Sequence, residues 1–262
     1  TAERGTATQD IPPAGTGRTS HYQSRSSRGR APAQSLHPIL PRLTPTPTAT
    51  GSSCSKGHAA NAPYTAFAAA GLLGAAELDT FVQPDSRLNG HPARTKVPGV
   101  EAGTGPLRRG LPIAVGDALA AKIDGSPRRV LVLTGDGELQ EGSNWEALMA
   151  AAQFKLDNLI VVADRNHLQQ GATTEDTNDL SPLDGKARAF GAHVVDVDAH
   201  DHGALLDAFG AAPVEPGRPT FIVAHSHKGH PISFMSDSVP WHHKLPDEAQ
   251  TARALTELEA LK

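Results

Sequence analysis

Two short, unbroken apolar runs, one helix apart, limit what this chain can fold into. Val130-Leu131-Val132-Leu133 and Leu159-Ile160-Val161-Val162 contain no polar residue. A strand with one wet face alternates polar and apolar side chains. A continuous run is what a parallel strand needs when both its faces are covered. Between the runs, Trp145, Leu148, Met149, Ala152 and Leu156 fall on one predicted helical face. A strand, a crossover helix and a second strand make a βαβ unit, with an expected right-handed connection. Val194 to Val197 and Phe221 to Ala224 are two further buried-strand candidates. Leu111 to Ile123 is a predicted helix, with Ile113, Leu119 and Ile123 among small residues that permit close packing. Ala59 to Gly71 is another, ended by the glycine. Residues 79–110, rich in Gly and Pro, form a long loop, and loops of that length in a compact domain are usually functional. No internal repeat is visible. The expected class is α/β: a doubly wound, mostly parallel sheet with helices on both faces.

Such sheets bind ligands beyond the carboxyl ends of their strands. Gly135-Asp136-Gly137 follows the first run and Asn166 follows the second. Adjacent parallel strands would bring Asp136 and Asn166 together although 30 positions separate them. A carboxylate and an amide oxygen are hard ligands, suited to Mg²⁺ or Ca²⁺. Mg²⁺ completes its shell with phosphate oxygens and water. Glycine on either side of the aspartate would let the backbone approach a diphosphate where a Cβ would interfere. The pattern points to a Mg²⁺-bridged diphosphate. A Gly-Asp-Gly turn can also do nothing more than join a strand to a helix. No G-x-G-x-x-G follows a strand, which disfavours a dinucleotide site.

Other classes are excluded on composition. A net charge of −4 gives no basic footprint for nucleic acid, and 4% aromatic residues supply no stacking platform. The longest apolar stretch, Ala66 to Leu78, is far short of the ~18–20 residues of a membrane span. No charged start followed by an apolar run marks a signal peptide. A single cysteine, Cys54, fits a cytoplasmic location and excludes an internal disulfide. Residues 1–54, biased to Pro, Ser, Thr and Arg, show no hydrophobic period. They read as a disordered arm, as an arm that contacts a partner, or as an out-of-frame translation. The folded domain is expected over 55–262.

Several motifs then resemble the transketolase family, in family order. They are Ser55-Lys56-Gly57-His58-Ala59, His91-Pro92, Lys96 to Glu101 and Gly103-Thr104-Gly105-Pro106-Leu107. Gly135 to Ala147, with Asn166 after it, and Trp241-His242-His243 complete the series. The likeness is to the N-terminal subunit of two-subunit transketolases. The resemblance implies a thiamine-diphosphate-binding fold and transfer of a two-carbon ketol unit from a ketose to an aldose, either of which can be a sugar phosphate. It implies that Asp136, Asn166 and the carbonyl of Leu168 hold Mg²⁺ (or Ca²⁺ or Mn²⁺). Gly105, Leu107, Gly135, Gly137 and Glu141 would line the cofactor, and His58, His91 and His242 would face the reacting carbon and the sugar. It implies a separate C-terminal, pyrimidine-binding subunit in an α₂β₂ assembly. Arg94 and Lys228, both candidates for a substrate phosphate, read as solvated charges. His225, His227 and His230 have a zinc-like spacing interrupted by Lys228, and the resemblance accounts for that stretch without metal.

The chain departs from the family at its start. Residues 1–54 carry no GHPGG-like motif, and Thr50-Gly51-Ser52-Ser53-Cys54 replaces an acidic-Arg-Phe-hydrophobic strand. In GC-rich DNA, a one-base displacement of codons for such a strand can read Thr-Gly-Ser-Ser-Cys. Two alternatives to an active transketolase chain stand beside this reading. One is another thiamine-diphosphate enzyme, such as a 1-deoxyxylulose-5-phosphate synthase-like protein. The other is a non-catalytic pseudo-subunit.

Overall fold

In a computed structural model of the protein, residues 51–261 are described. The arm reading of residues 1–50 falls outside them. Five parallel strands form one sheet: β1 (Gly51–Cys54), β2 (Val130–Gly135), β3 (Leu159–Arg165), β4 (His193–Asp198) and β5 (Thr220–His225). Their order is β1-β2-β3-β5-β4. The apolar runs lie in the central strands. Along β3, Leu159, Val161 and Ala163 face one side, and Ile160 and Val162 face the other.

Helices α2 (Gly110–Ile123), α3 (Gly142–Gln153) and α5 (Leu183–Ala189) cover the first side. The second side is covered by α6 (His202–Ala211) through Leu205 and Ala208. The sheet is therefore doubly wound. Short α4 (Thr174–Asn178) follows β3, and α7 (Glu248–Glu259) closes the described chain.

Three expectations change. β1 begins at Gly51, so the last four residues assigned to the irregular segment belong to the sheet. Gly51 to Cys54 pair in register with Val130 to Leu133. Such small, polar residues have little strand preference, and the neighbouring strand imposes the conformation. The first helix, α1 (Asn61–Ala69), starts later than the expected Ala59, because a 3₁₀ turn takes Gly57–Ala59. The packing faces of α2 and α3 are also rotated. Ile113, Ile123 and Met149 are 43%, 76% and 56% exposed, while Ala114, Ala118, Ala147 and Ala151 are buried. Helix spacing allowed either register. The alanines win because they let α2 and α3 lie close together over the sheet.

The long loop has a core of its own. Tyr64 and Phe67 of α1 pack with Leu73, Leu88 and Val97, and the Tyr64 hydroxyl donates to the carbonyl of Asn89 at 3.0 Å. Later in the loop, the Thr104 hydroxyl donates to the carbonyl of Cys54 at the end of β1.

Candidate active site

β2 ends at Gly135, and Asp136 turns the chain into a 3₁₀ turn, Gly137–Gln140. The Asp136 carboxylate is 1% exposed. It accepts the N–H of Gly137 at 2.8 Å and that of His167 at 2.6 Å. His167 directly follows Asn166, so one bond joins the two strand ends. Asn166 is also buried, and its Oδ1 accepts the N–H of Leu168 at 3.1 Å. This return requires His167 in the left-handed region, at φ +61°. Asp136, Asn166 and Leu168 therefore share one corner. Burial raises the pKa of Asp136, against the two backbone N–H bonds. The Arg165 guanidinium stands 3.5 Å away, braced by Thr174 and Glu175.

The motif after Asp136 braces itself. Asn144 donates to the carbonyl of Glu138 at 2.7 Å, and the Trp145 indole donates to that of Leu139 at 2.8 Å. Trp145 therefore holds the turn as well as packing beside the core. Glu141 sits at the N-terminus of α3 and pairs with Arg108 at 3.2 Å.

The glycines meet protein first. A Cβ on Gly135 would lie 3.4 Å from the Lys56 side chain, and one on Gly137 would lie 3.1 Å from Gln169. Gly105 differs, because a Cβ there would meet nothing within 4 Å. Leu107, in the same turn, is 39% exposed.

Lys56 links the Asp136–Asn166 corner to the histidines. It is buried and ion-pairs with Asp164, whose other oxygen accepts the Ser226 hydroxyl. Burial opposes both charges. The attraction of Lys56 nonetheless holds the Asp164 carboxyl down at about 2, and Asp164 keeps the Lys56 pKa above its usual value.

His58 and His242 stack at 5.8 Å, and the His91 ring lies beside Gly57. The three predicted histidines thus gather at one rim. Burial, with Lys56 and Lys228 nearby, pushes His58 down to about 4. Burial and Lys228 do the same to His242. Lys228 is half-buried, its own pKa lowered by burial and by Lys56. The reading of Lys228 as a solvated charge is therefore corrected; Arg94 is exposed, as expected.

Sequence reasoning missed Asp164, Arg165 and Glu138, and it read Lys228 as solvated. Arg165 and Glu138 adjoin residues it did identify, but nothing in the one-dimensional pattern distinguishes an inward charge from a solvated one.

Cys54 is half-buried, with its thiol pushed up to about 11. His225 pairs with Asp196, His227 with Asp237, and His230 packs on His200. Among the described residues no group of three or more His, Cys, Asp or Glu side chains is placed to hold a metal ion. Among them, too, no helix is long and apolar enough to cross a membrane.

The residues fit a metal-held diphosphate by their donor chemistry: hard oxygens at the corner, with two lysines beside them. The His242 Nδ1 is buried without a hydrogen-bond partner, as is Gln169 Oε1 beside Gly137.

Residues 53–244 match the family description "Transketolase, thiamine diphosphate binding domain". The chain belongs to the transketolase family. It is 47% identical over 206 residues to one subunit of an apulose-4-phosphate transketolase of Actinobacillus succinogenes, covering 78% of this chain and 74% of that protein. It is 37% identical over 205 residues to one subunit of a 6-deoxy-6-sulfo-D-fructose transketolase of a Clostridium species, covering 78% and 74%. Among solved structures, the transketolase of Campylobacter jejuni superposes with a TM-score of 0.76 at 27% identity, over 87% of this chain and 37% of that one. The chain thus spans only about a third of such single-chain transketolases, and most of the length of the two single-subunit relatives.

Proposed function

We propose that this chain is the diphosphate-holding subunit of a two-subunit transketolase, which acts on a ketose and an aldose with Mg²⁺ and thiamine diphosphate. A separate pyrimidine-binding subunit would complete the site, in an α₂β₂ assembly. The observation that carries the reading is the 2.6 Å bond from the His167 N–H to the Asp136 carboxylate, which joins the ends of β2 and β3.

Asp136, Asn166 and the Leu168 carbonyl are the proposed metal ligands. Gly135, Gly137, Gly105, Leu107 and Glu141 are the proposed walls around the cofactor. When bound, thiamine diphosphate supplies a carbon that adds to the ketose carbonyl and takes up the electrons of the broken C–C bond. Lys56 and Lys228 bring positive charge toward the diphosphate and the substrate.

His58 and His242, with pKa values near 4, are neutral at pH 7. Each then offers one N–H donor and one lone-pair nitrogen to sugar hydroxyls, and can receive and return a hydroxyl proton. His91 stands beside them. The sugars for which the two single-subunit relatives are named both carry an anionic group, a phosphate and a sulfonate. A ketose with an anionic tail is therefore the proposed donor.

A second reading, a pseudo-subunit that keeps the fold without turnover, rests on residues 1–54, which carry no GHPGG-like motif. Co-expression with a pyrimidine-binding subunit, followed by an assay of ketol transfer from a ketose phosphate to an aldose phosphate, separates the two. Mg²⁺-dependent turnover is expected. A stable complex with no turnover would replace the first reading with the second.

A further inference from the structure

Glu138 is 3% exposed, and no Lys or Arg side chain pairs with it among the described residues. Its carboxylate is held by neutral donors from three segments. Oε1 accepts the Ser55 hydroxyl and the Arg108 N–H, the latter at 2.9 Å, and Oε2 accepts the Gly135 N–H at 3.3 Å. Ser55 lies 83 residues away in sequence and Arg108 lies 30 away.

The Ser55 Oγ also accepts the Gly110 N–H at 3.1 Å, and the Glu138 carboxylate can only accept. Its proton therefore goes to Glu138. The three segments are the Ser55-Lys56-Gly57-His58 run, the turn that presents Gly105 and Leu107, and the strand end that presents Asp136.

The first two segments are packed too closely for side chains between them. A Cβ on Gly57 would stand 2.0 Å from the Thr104 carbonyl oxygen, and one on Gly110 would stand 2.3 Å from Ser55. Arg108 is held at φ +74°, a conformation that costs a non-glycine residue energy unless its surroundings fix it. The Glu138 carboxylate is one of those fixings. A buried carboxylate without an opposing cation is costly unless hydrogen bonds satisfy it, so all three segments must stay in place to hold it.

We propose that Glu138 is a positioning residue for the diphosphate cradle: it sets the spacing between the Lys56 segment, the Gly105–Leu107 turn and the Asp136 strand end without touching cofactor or substrate. This rests on the function proposed above.

The test uses the complex of this chain with its pyrimidine-binding subunit, with thiamine diphosphate and Mg²⁺ as the probe in calorimetry. In Glu138→Gln, one amide oxygen can keep the Ser55 and Arg108 bonds, but the NH₂ opposes the Gly135 N–H. Cofactor affinity should fall about tenfold, the scale for residues that orient ligands from behind. Turnover at saturating cofactor should be retained. Amide exchange should quicken over 104–110. Ser55→Ala, which keeps the carboxylate but removes its hydroxyl donor and the acceptor of the Gly110 N–H, should weaken affinity in the same direction and guards against a misfolded first variant.

Unchanged affinity in both variants, while the unaltered complex binds cofactor, would overturn the role of Glu138 and leave the proposed function standing. A loss of turnover at saturating cofactor with unchanged affinity would also overturn it, since Glu138 would then act in the chemistry. An unaltered complex that binds no thiamine diphosphate would overturn both readings.

Discussion

Asp136 and Asn166 are 1% and 5% exposed, and each has a side-chain oxygen already bonded to a neighbouring backbone N–H. His58 lies in a 3₁₀ turn that begins at the buried Gly57, and His242 ends another turn with one ring nitrogen unpartnered. The proposed metal corner is thus built by the sheet itself, from two strand ends and their amides. The histidine rim is assembled from segments far apart in sequence and is shaped by nearby lysines. The corner depends on backbone geometry, so side-chain changes there should act through lost ligands. The rim depends on charge and burial, so it should respond to pH.

The sharpest break of that contrast is Asp136→Ala. Mg²⁺-dependent binding of thiamine diphosphate to the assembled complex should weaken by about 100-fold or more, because a proposed metal ligand is lost. Calorimetry with and without Mg²⁺ reads this, and unchanged affinity would remove the corner's role. Next in size is the bridge between the two regions. Lys56→Met leaves Asp164 without its cation and should cost about 3 kcal/mol in denaturant unfolding. Adding Asp164→Leu should recover much of it. A double variant no more stable than the single one would mean that Lys56 acts through packing alone.

The rim's pH response has a defined sign. His58 and His242 have folded pKa values near 4, below their unfolded value of 6.5. Above pH 6.5 both states are neutral and nothing is lost. As pH falls from 6.5 toward 4, the unfolded chain takes up protons that the folded rim refuses, and stability declines. Histidine proton resonances should show two titrations with midpoints near 4. Ordinary midpoints at both residues would contradict the burial of the rim. The smallest effect is expected far from either region. Ile123→Lys, at a 76% exposed position, should change stability by no more than about 0.5 kcal/mol. A loss of several kcal/mol would restore the helix face first expected for α2.

The sequence carried the corner further than the rim. Unbroken apolar runs identify β2, β3 and β5 because a doubly covered strand has no alternative pattern. Residues just past those runs must meet, which made Asp136 and Asn166 readable from spacing. β1 was missed because Gly51 to Cys54 has no apolar signal, and its conformation comes from pairing with Val130 to Leu133. The rotated faces of α2 and α3 were ambiguous because alanine and larger apolar residues fit the same helical period. His58, His91 and His242 were reachable only through the family resemblance, since no periodicity links positions so far apart. The burial of Lys228 and Glu138 was out of reach for a related reason: only the fold decides which charged residues turn inward.

Crystals of the two-subunit complex grown with thiamine diphosphate and Mn²⁺ would test the shared corner most directly, because manganese scatters anomalously. One peak per site is predicted, bound by an Asp136 carboxylate oxygen, Asn166 Oδ1 and the Leu168 carbonyl, with diphosphate oxygens completing the shell. Bound cofactor with manganese held elsewhere, or with Asp136 still facing Arg165 and no metal at the strand ends, would contradict it.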